Sequence, residues 1–183
     1  MSKMKYGLFM GRFQPLHKGH LKVMLKIIKE VEYLVVGIVN PDPKDTINFK
    51  DFAPVKNPFN FWERYRMIQE SLKESGVEMS KVYIVPSYPP SLYDDGKFER
   101  FLPKKDETII YLPVKKDSGK WNIEGLTERG WNVRSFKVKN SISATEVRRR
   151  IAEDENWEEL VPKAVAKIIK EVDGINRIKN LKK

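Results

Sequence analysis

Short, almost continuous apolar runs alternate along the chain with longer stretches in which apolar residues recur every three or four positions. "KYGLFMG" (5–11) is a compact apolar run ending in glycine and predicts a buried strand. "HLKVMLKIIKEV" (20–31) sets Leu21, Met24, Leu25 and Ile28 at helical spacing with lysines between them. "EYLVVGIVN" (32–40) is a β-branched run, as expected of a strand covered on both faces of a parallel sheet. "NFWERYRMIQESLKESG" (60–76) predicts a second helix, starting after Pro58 and closing at Gly76. Further strands are predicted at 81–87, 107–114 and 131–138. Further helices are predicted at 118–130, at 143–154 with Ser143 as its cap, and at 161–172, which opens near Pro162 and closes at Gly174. Two stretches, 41–59 and 88–106, are rich in Pro and Asp, lack any period and read as long loops, which in compact domains tend to carry function.

This alternation predicts an α/β protein: a Rossmann-like, doubly wound parallel sheet of about five strands. The 183 residues are expected to form a single domain, 1–183, with C-terminal helices from residue 157 to 183 as an extension. Open sheets of this kind bind ligands outside the carboxyl ends of their strands, where the strand order reverses. The loop leaving the first strand, "GRFQPLHKGH" (11–20), belongs there.

Composition narrows the possibilities. No apolar run approaches the ~20 residues of a membrane span, and the N-terminal stretch is too short in apolar residues for a signal segment. With no cysteine, disulfides, thiol nucleophiles and thiolate metal sites are excluded. A cytoplasmic location is expected, with no membrane partner. The 35 Lys and Arg against 25 Asp and Glu leave a charge of +10, which favours anionic partners. Basic residues are scattered, however. Only Arg148–Arg150 and the tail "NRIKNLKK" concentrate them, without interleaved aromatics, so no specific nucleic-acid partner is expected and the tail reads as frayable.

The chemistry lies in the first loop, which holds both histidines of the chain, His17 and His20. Gly11 lets the backbone turn sharply off the strand, and Gly19 keeps open a helix start where N–H groups and the dipole attract anions. Arg12 adds a charged donor. If both histidines are helical they share one side of the first turn, and their rings can address one anion. Zinc is a poor fit, because two histidines without cysteine would need carboxylates to complete the ligand set. The GxGxxG dinucleotide fingerprint is absent.

"GRFQPLHKGH" resembles the HxGH signature of the nucleotidyltransferase superfamily, in the form found in archaeal-type nicotinamide mononucleotide adenylyltransferases. "ISATEVR" (142–148) is similar to the second signature of that superfamily, and "NPFNFWERYRMI" and "WEELVPKAVAKIIKEV" are similar to further segments of the archaeal-type enzymes. The resemblance implies transfer of AMP from ATP to a nucleotide or other phosphate monoester, with release of pyrophosphate, and nicotinamide mononucleotide as the leading acceptor. It implies that His17, His20 and Arg148 are catalytic. It implies that Gly11, Arg12, Phe13, Gly19, Ser143, Thr145 and Arg148 bind ATP, with Mg2+ delivered by the ATP and no protein metal ligand. It also implies a homo-oligomer. Ser143 as an N-cap beside an arginine is an anion site on its own terms. Arg149 and Arg150 match no motif and read as solvated.

The chain departs from the archaeal-type pattern on the acceptor side. A longer loop (40–56) follows the second strand, "YLPVKKDSGKWN" replaces a Gly-Asn segment, and the middle loop has no tryptophan. Asn40, Arg64 and Tyr93 are the expected acceptor contacts, with Tyr88 and Phe98 as other stacking faces. Three alternatives stay open: a different phosphate monoester, CTP as donor, or a non-catalytic nucleotide- or nucleic-acid-binding protein.

Overall fold

A computed structural model describes residues 4–40, 56–88, 98–114, 120–137 and 142–181. The elements run β1 (Tyr6–Gly11), α1 (Lys18–Glu30), β2 (Tyr33–Val39), α2 (Phe61–Glu74), β3 (Val82–Ser87), β4 (Thr108–Val114), α3 (Lys120–Glu128), β5 (Asn132–Lys137), α4 (Ala144–Ala152), α5 (Lys163–Glu171) and α6 (Gly174–Asn180). All five strands are parallel, in the order β3-β2-β1-β4-β5. This is the Rossmann-like sheet that the alternation predicts. The order reverses at β1, so the chain leaves the switch point at Gly11.

By internal packing the chain divides into two units. The first comprises Met1–Gly11, Met24–Val39 and Ser80–Ser141. It contains the whole sheet. On one face of the sheet Leu8, Val35 and Ile110 pack with Phe98, Leu126 and Trp131. On the other, α1 comes so close to β1 that a Cβ at Gly7 would lie 2.6 Å from Ile27 and 3.0 Å from Val31. Glycine is required there by proximity, since any side chain would lever the helix off the strand. Phe98, an alternative stacking face by sequence, is 3 % exposed and edge-on to Trp131, so it anchors the core.

The second unit comprises Arg12–Val23, Asn40–Met79 and Ile142–Lys183, and is built on α2, α4, α5 and α6. The start of α2 is fixed by a capping box: Asn60 Oδ1 accepts from the Glu63 amide (2.9 Å) and Glu63 Oε2 accepts from the Asn60 amide (3.0 Å). The apolar stripe of α5, Ala164, Val165, Ile168 and Ile169, is buried, and α5 packs against α2. Glu74 of α2 accepts from the Ala164 amide, satisfying one open donor of the α5 start.

Two expectations are corrected at the C-terminus. Gly174 does not close a helix. Helix α5 ends at Glu171, the left-handed residue is Asp173 (φ 56), and Gly174 opens α6. The reason for glycine is close approach: a Cβ would lie 2.8 Å from the Phe59 ring and 3.0 Å from the Ile169 carbonyl oxygen. Nor is 176–180 a frayed tail. Ile178 is buried, and Arg177 donates to both oxygens of Glu63 (2.7 and 3.0 Å) and to the Pro58 carbonyl (3.2 Å).

Arg149 and Arg150, expected to be solvated, are paired. Both donate to Glu146, Arg149 also reaches Glu153 and Glu155, and Arg150 reaches Glu159. The two arginines hold the Glu146 carboxyl far below the usual range, at about 2. Among the described residues, no helix is long and apolar enough to cross a membrane.

Candidate active site

Past Gly11 the chain folds into a tight, deeply set turn. Phe13 takes a left-handed conformation (φ 50) with its ring buried, an arrangement costing on the order of 1–2 kcal/mol for a non-glycine residue. Gln14 is buried beside it. Its amide pairs with both backbone groups of Phe59, Nε2 donating to the carbonyl (2.7 Å) and Oε1 accepting from the N–H (2.9 Å). The turn is thereby tied to the residues just before α2.

His17 precedes the helix, so the condition that both histidines be helical is not met. It is the cap of α1: Nδ1 accepts from the His20 amide (3.3 Å) and its carbonyl accepts from Leu21 (3.2 Å). An acceptor role at Nδ1 assigns the ring proton to Nε2, so Nε2–H is the donor that the ring presents. The two rings still come together. They stack at 3.6 Å between centroids and 20° between planes, with Phe13 edge-on to His20 at 5.0 Å. Gly19 leaves space for this: a Cβ there would lie 3.0 Å from His17 Nδ1 and 3.1 Å from Cε1.

The second motif reaches the same turn. Ser143 caps α4, its hydroxyl accepting from the Glu146 amide (3.1 Å). Arg148 donates to the Gln14 carbonyl (2.6 Å) and lies 3.4 Å from Thr145 Oγ1. Burial, and then the positive charge of Arg12 nearby, hold the Arg148 pKa below that of an ordinary arginine. Two like charges held together in a partly buried place, beside two helix starts, describe a site shaped for an anion.

The expected acceptor residues fare differently. Asn40 follows the second strand in a left-handed conformation (φ 55) and is 6 % exposed; its Nδ2 is buried with no hydrogen-bond partner among the described residues. Arg64 has no accessible surface, and its guanidinium donates to backbone carbonyls of Asn60, Arg12 and Asn40. Tyr93 lies outside the described residues, as do 41–55 of the first long loop and 89–97 of the second. Gln14 and Phe59, which tie this turn to the start of α2, are not among the sequence candidates. Their sequence signal is slight: Gln14 is a lone polar residue in an apolar turn, and its partner is 45 positions away.

A five-stranded parallel sheet of this order, with an HxGH turn after its first strand and a second basic motif on a late helix, defines a nucleotidyltransferase. Residues 8–150 match the Cytidylyltransferase-like family, and the chain belongs to it. It is 36% identical over 177 residues to a nicotinamide-nucleotide adenylyltransferase of Thermococcus sibiricus, covering 96% of this chain and 88% of the relative. It is 37% identical over 183 residues to a phosphonoformate cytidylyltransferase of Streptomyces viridochromogenes, covering 94% and 95%. The fold is similar to that of a bifunctional NMN adenylyltransferase/ADP ribose pyrophosphatase of Francisella tularensis solved with AMP and a manganese ion. The TM-score is 0.67 at 19% identity, and the match covers 97% of this chain and 52% of that one.

Proposed function

We propose that the protein is an adenylyltransferase that joins the AMP moiety of ATP to nicotinamide mononucleotide, releasing pyrophosphate. The observation that carries this reading is the convergence of Arg148, from the late motif, on the Gln14 carbonyl within the HxGH turn, close to Arg12 and the stacked histidines. These donors suit the oxygens of a triphosphate. The reaction needs no side-chain nucleophile, because a phosphate monoester with a second pKa near 6 is already ionised at neutral pH. An acceptor phosphate oxygen bonds to the α-phosphorus of ATP, the bond to the bridging oxygen breaks, and pyrophosphate leaves. Arg12 and Arg148 hold the phosphates, with Ser143, Thr145 and the open amides of α4. His17 Nε2–H and His20 meet the charge that grows on the α-phosphoryl oxygens, the positioning and electrostatic roles that dominate such transfers. Magnesium enters as part of the Mg·ATP substrate, keeping most of its own waters. A cytoplasmic location and assembly of identical copies are parts of the same reading.

One observation favours a second reading, a CTP-dependent transfer to a small phosphonate or other phosphate acceptor. The cytidylyltransferase relative is as similar as the archaeal adenylyltransferase, and this chain covers 95% of its length. The test is pyrophosphate release with ATP or CTP against nicotinamide and nicotinate mononucleotides, flavin mononucleotide, pantetheine phosphate and phosphonoformate. The expected best pair is ATP with nicotinamide mononucleotide. A ~100-fold preference in kcat/KM for CTP replaces the first reading with the second, and the same preference for a non-pyridine acceptor with ATP overturns nicotinamide mononucleotide as the acceptor.

A further inference from the structure

Arg64, on the first turn of α2, is a guanidinium with no accessible surface. Its donors go to backbone carbonyls of three separate segments. Nε donates to Asn60 at the α2 cap (3.1 Å), Nη1 to Arg12 in the turn after β1 (3.0 Å), and Nη2 to Asn40 at the end of β2 (2.7 Å). The neighbouring carboxylate of Glu63 is engaged by the Asn60 amide and by Arg177. Burial of such a charge is costly, and it lowers the Arg64 pKa to about 10, still fully protonated at neutral pH.

The carbonyls chosen are informative. The Arg12 carbonyl belongs to the peptide that enters Phe13 (φ 50), and the Asn40 carbonyl follows Asn40 itself (φ 55). Both are left-handed turns at residues with side chains, which persist only when surrounding structure restrains them. One rigid, planar fork restrains both and fixes their spacing. Arg12 begins the proposed phosphate turn, and Asn40 carries a buried amide with no partner among the described residues.

We infer that Arg64 is a positioning residue: it sets the register between the phosphate-binding turn at Arg12 and the acceptor-side turn at Asn40 without touching either substrate. This rests on the substrate assignment proposed above. A lysine at this place keeps a charge but lacks the planar fork, so it cannot hold both turns in one geometry.

The experiment compares wild type, Arg64→Lys, Arg12→Lys, the double variant, and Leu72→Ala. Leu72 is buried farther along α2 and serves as a stability control. Arg64→Lys should lower kcat/KM ~30-fold, with a raised acceptor KM, while Leu72→Ala at a comparable loss of Tm stays within ~3-fold of wild type. Adding Arg64→Lys to Arg12→Lys should cost far less than the product of the single losses, because both act through one group. Hydrogen exchange gives a readout independent of turnover. Amides of 12–14 and of 39–40 should both exchange faster in Arg64→Lys and not in Leu72→Ala. Unchanged exchange at either turn, or equal kinetic losses in Arg64→Lys and Leu72→Ala, overturns the inference. A wild type inert on every substrate pair, with exchange still released at both turns, overturns the proposed function and leaves the positioning role standing.

Discussion

Replacing Gly19 with alanine should separate stability from turnover. Gly19 is the second residue of α1, where alanine gains up to ~1 kcal/mol of helix propensity over glycine. The new Cβ would lie 3.0 Å from His17 Nδ1 and 3.1 Å from Cε1, whereas ordinary contact begins at 3.4 Å. The ring must therefore retreat by a few tenths of an ångström. It has little freedom to do so. His20 stacks on it at 3.6 Å, and its cap bond to the His20 amide, at 3.3 Å, is already long. Losing that cap costs about 1 kcal/mol, which offsets the propensity gain. Tm should thus move by less than ~4 °C. Turnover should not be spared, since a 1 Å displacement of a reacting group costs up to ~100-fold and a shift of this size ~10-fold. The loss should fall on kcat with the KM for ATP nearly unchanged, because a donor that acts on transition-state charge adds little to ground-state binding. Thermal unfolding and steady-state pyrophosphate release measure the two quantities on one sample. An unchanged kcat would refute the reasoning that His17's ring position matters. A Tm fall beyond ~10 °C would refute the offset between cap and propensity.

Two further outcomes follow from the same contacts. Gln14→Ala leaves the buried N–H and carbonyl of Phe59 unpaired and should destabilise the protein by about 2–4 kcal/mol in chemical denaturation; a loss under ~1 kcal/mol would mean water replaces the amide. Glu146 titrates near 2 when folded against an ordinary 4.5, so the folded state binds its proton less readily, and the stabilisation is complete above pH 4.5 and lost toward pH 2. The Tm gap between wild type and Glu146→Gln should accordingly close over that interval, and a gap independent of pH would contradict the assigned ion pairs.

Much of this protein was legible in its residues, for reasons that are local. Strands buried on both faces must be apolar throughout, so β1 and β2 stood out as runs, and α2 was readable between Pro58 and Gly76. Ser143 was readable as a cap because the bond it makes spans three residues. The HxGH and ISATEVR segments were readable because each sets its characteristic residue types within a few positions of the chain. What depended on partners far along the chain was not readable. A pattern of apolar positions fixes which segments are strands but not that β4 lies beside β1, since strand order depends on crossovers. Nothing near Arg64 in the sequence shows that its donors reach Arg12 and Asn40, 52 and 24 positions away. Gly174 looked like a helix stop because glycine favours that role, while its need for space came from Phe59, distant in sequence. The tail looked free because Glu63, which Arg177 grips, lies 114 residues earlier. Short-range rules concern chain conformation and are written in neighbouring residues; a buried charge finds its partners only once the chain has closed, and only the tertiary structure names them.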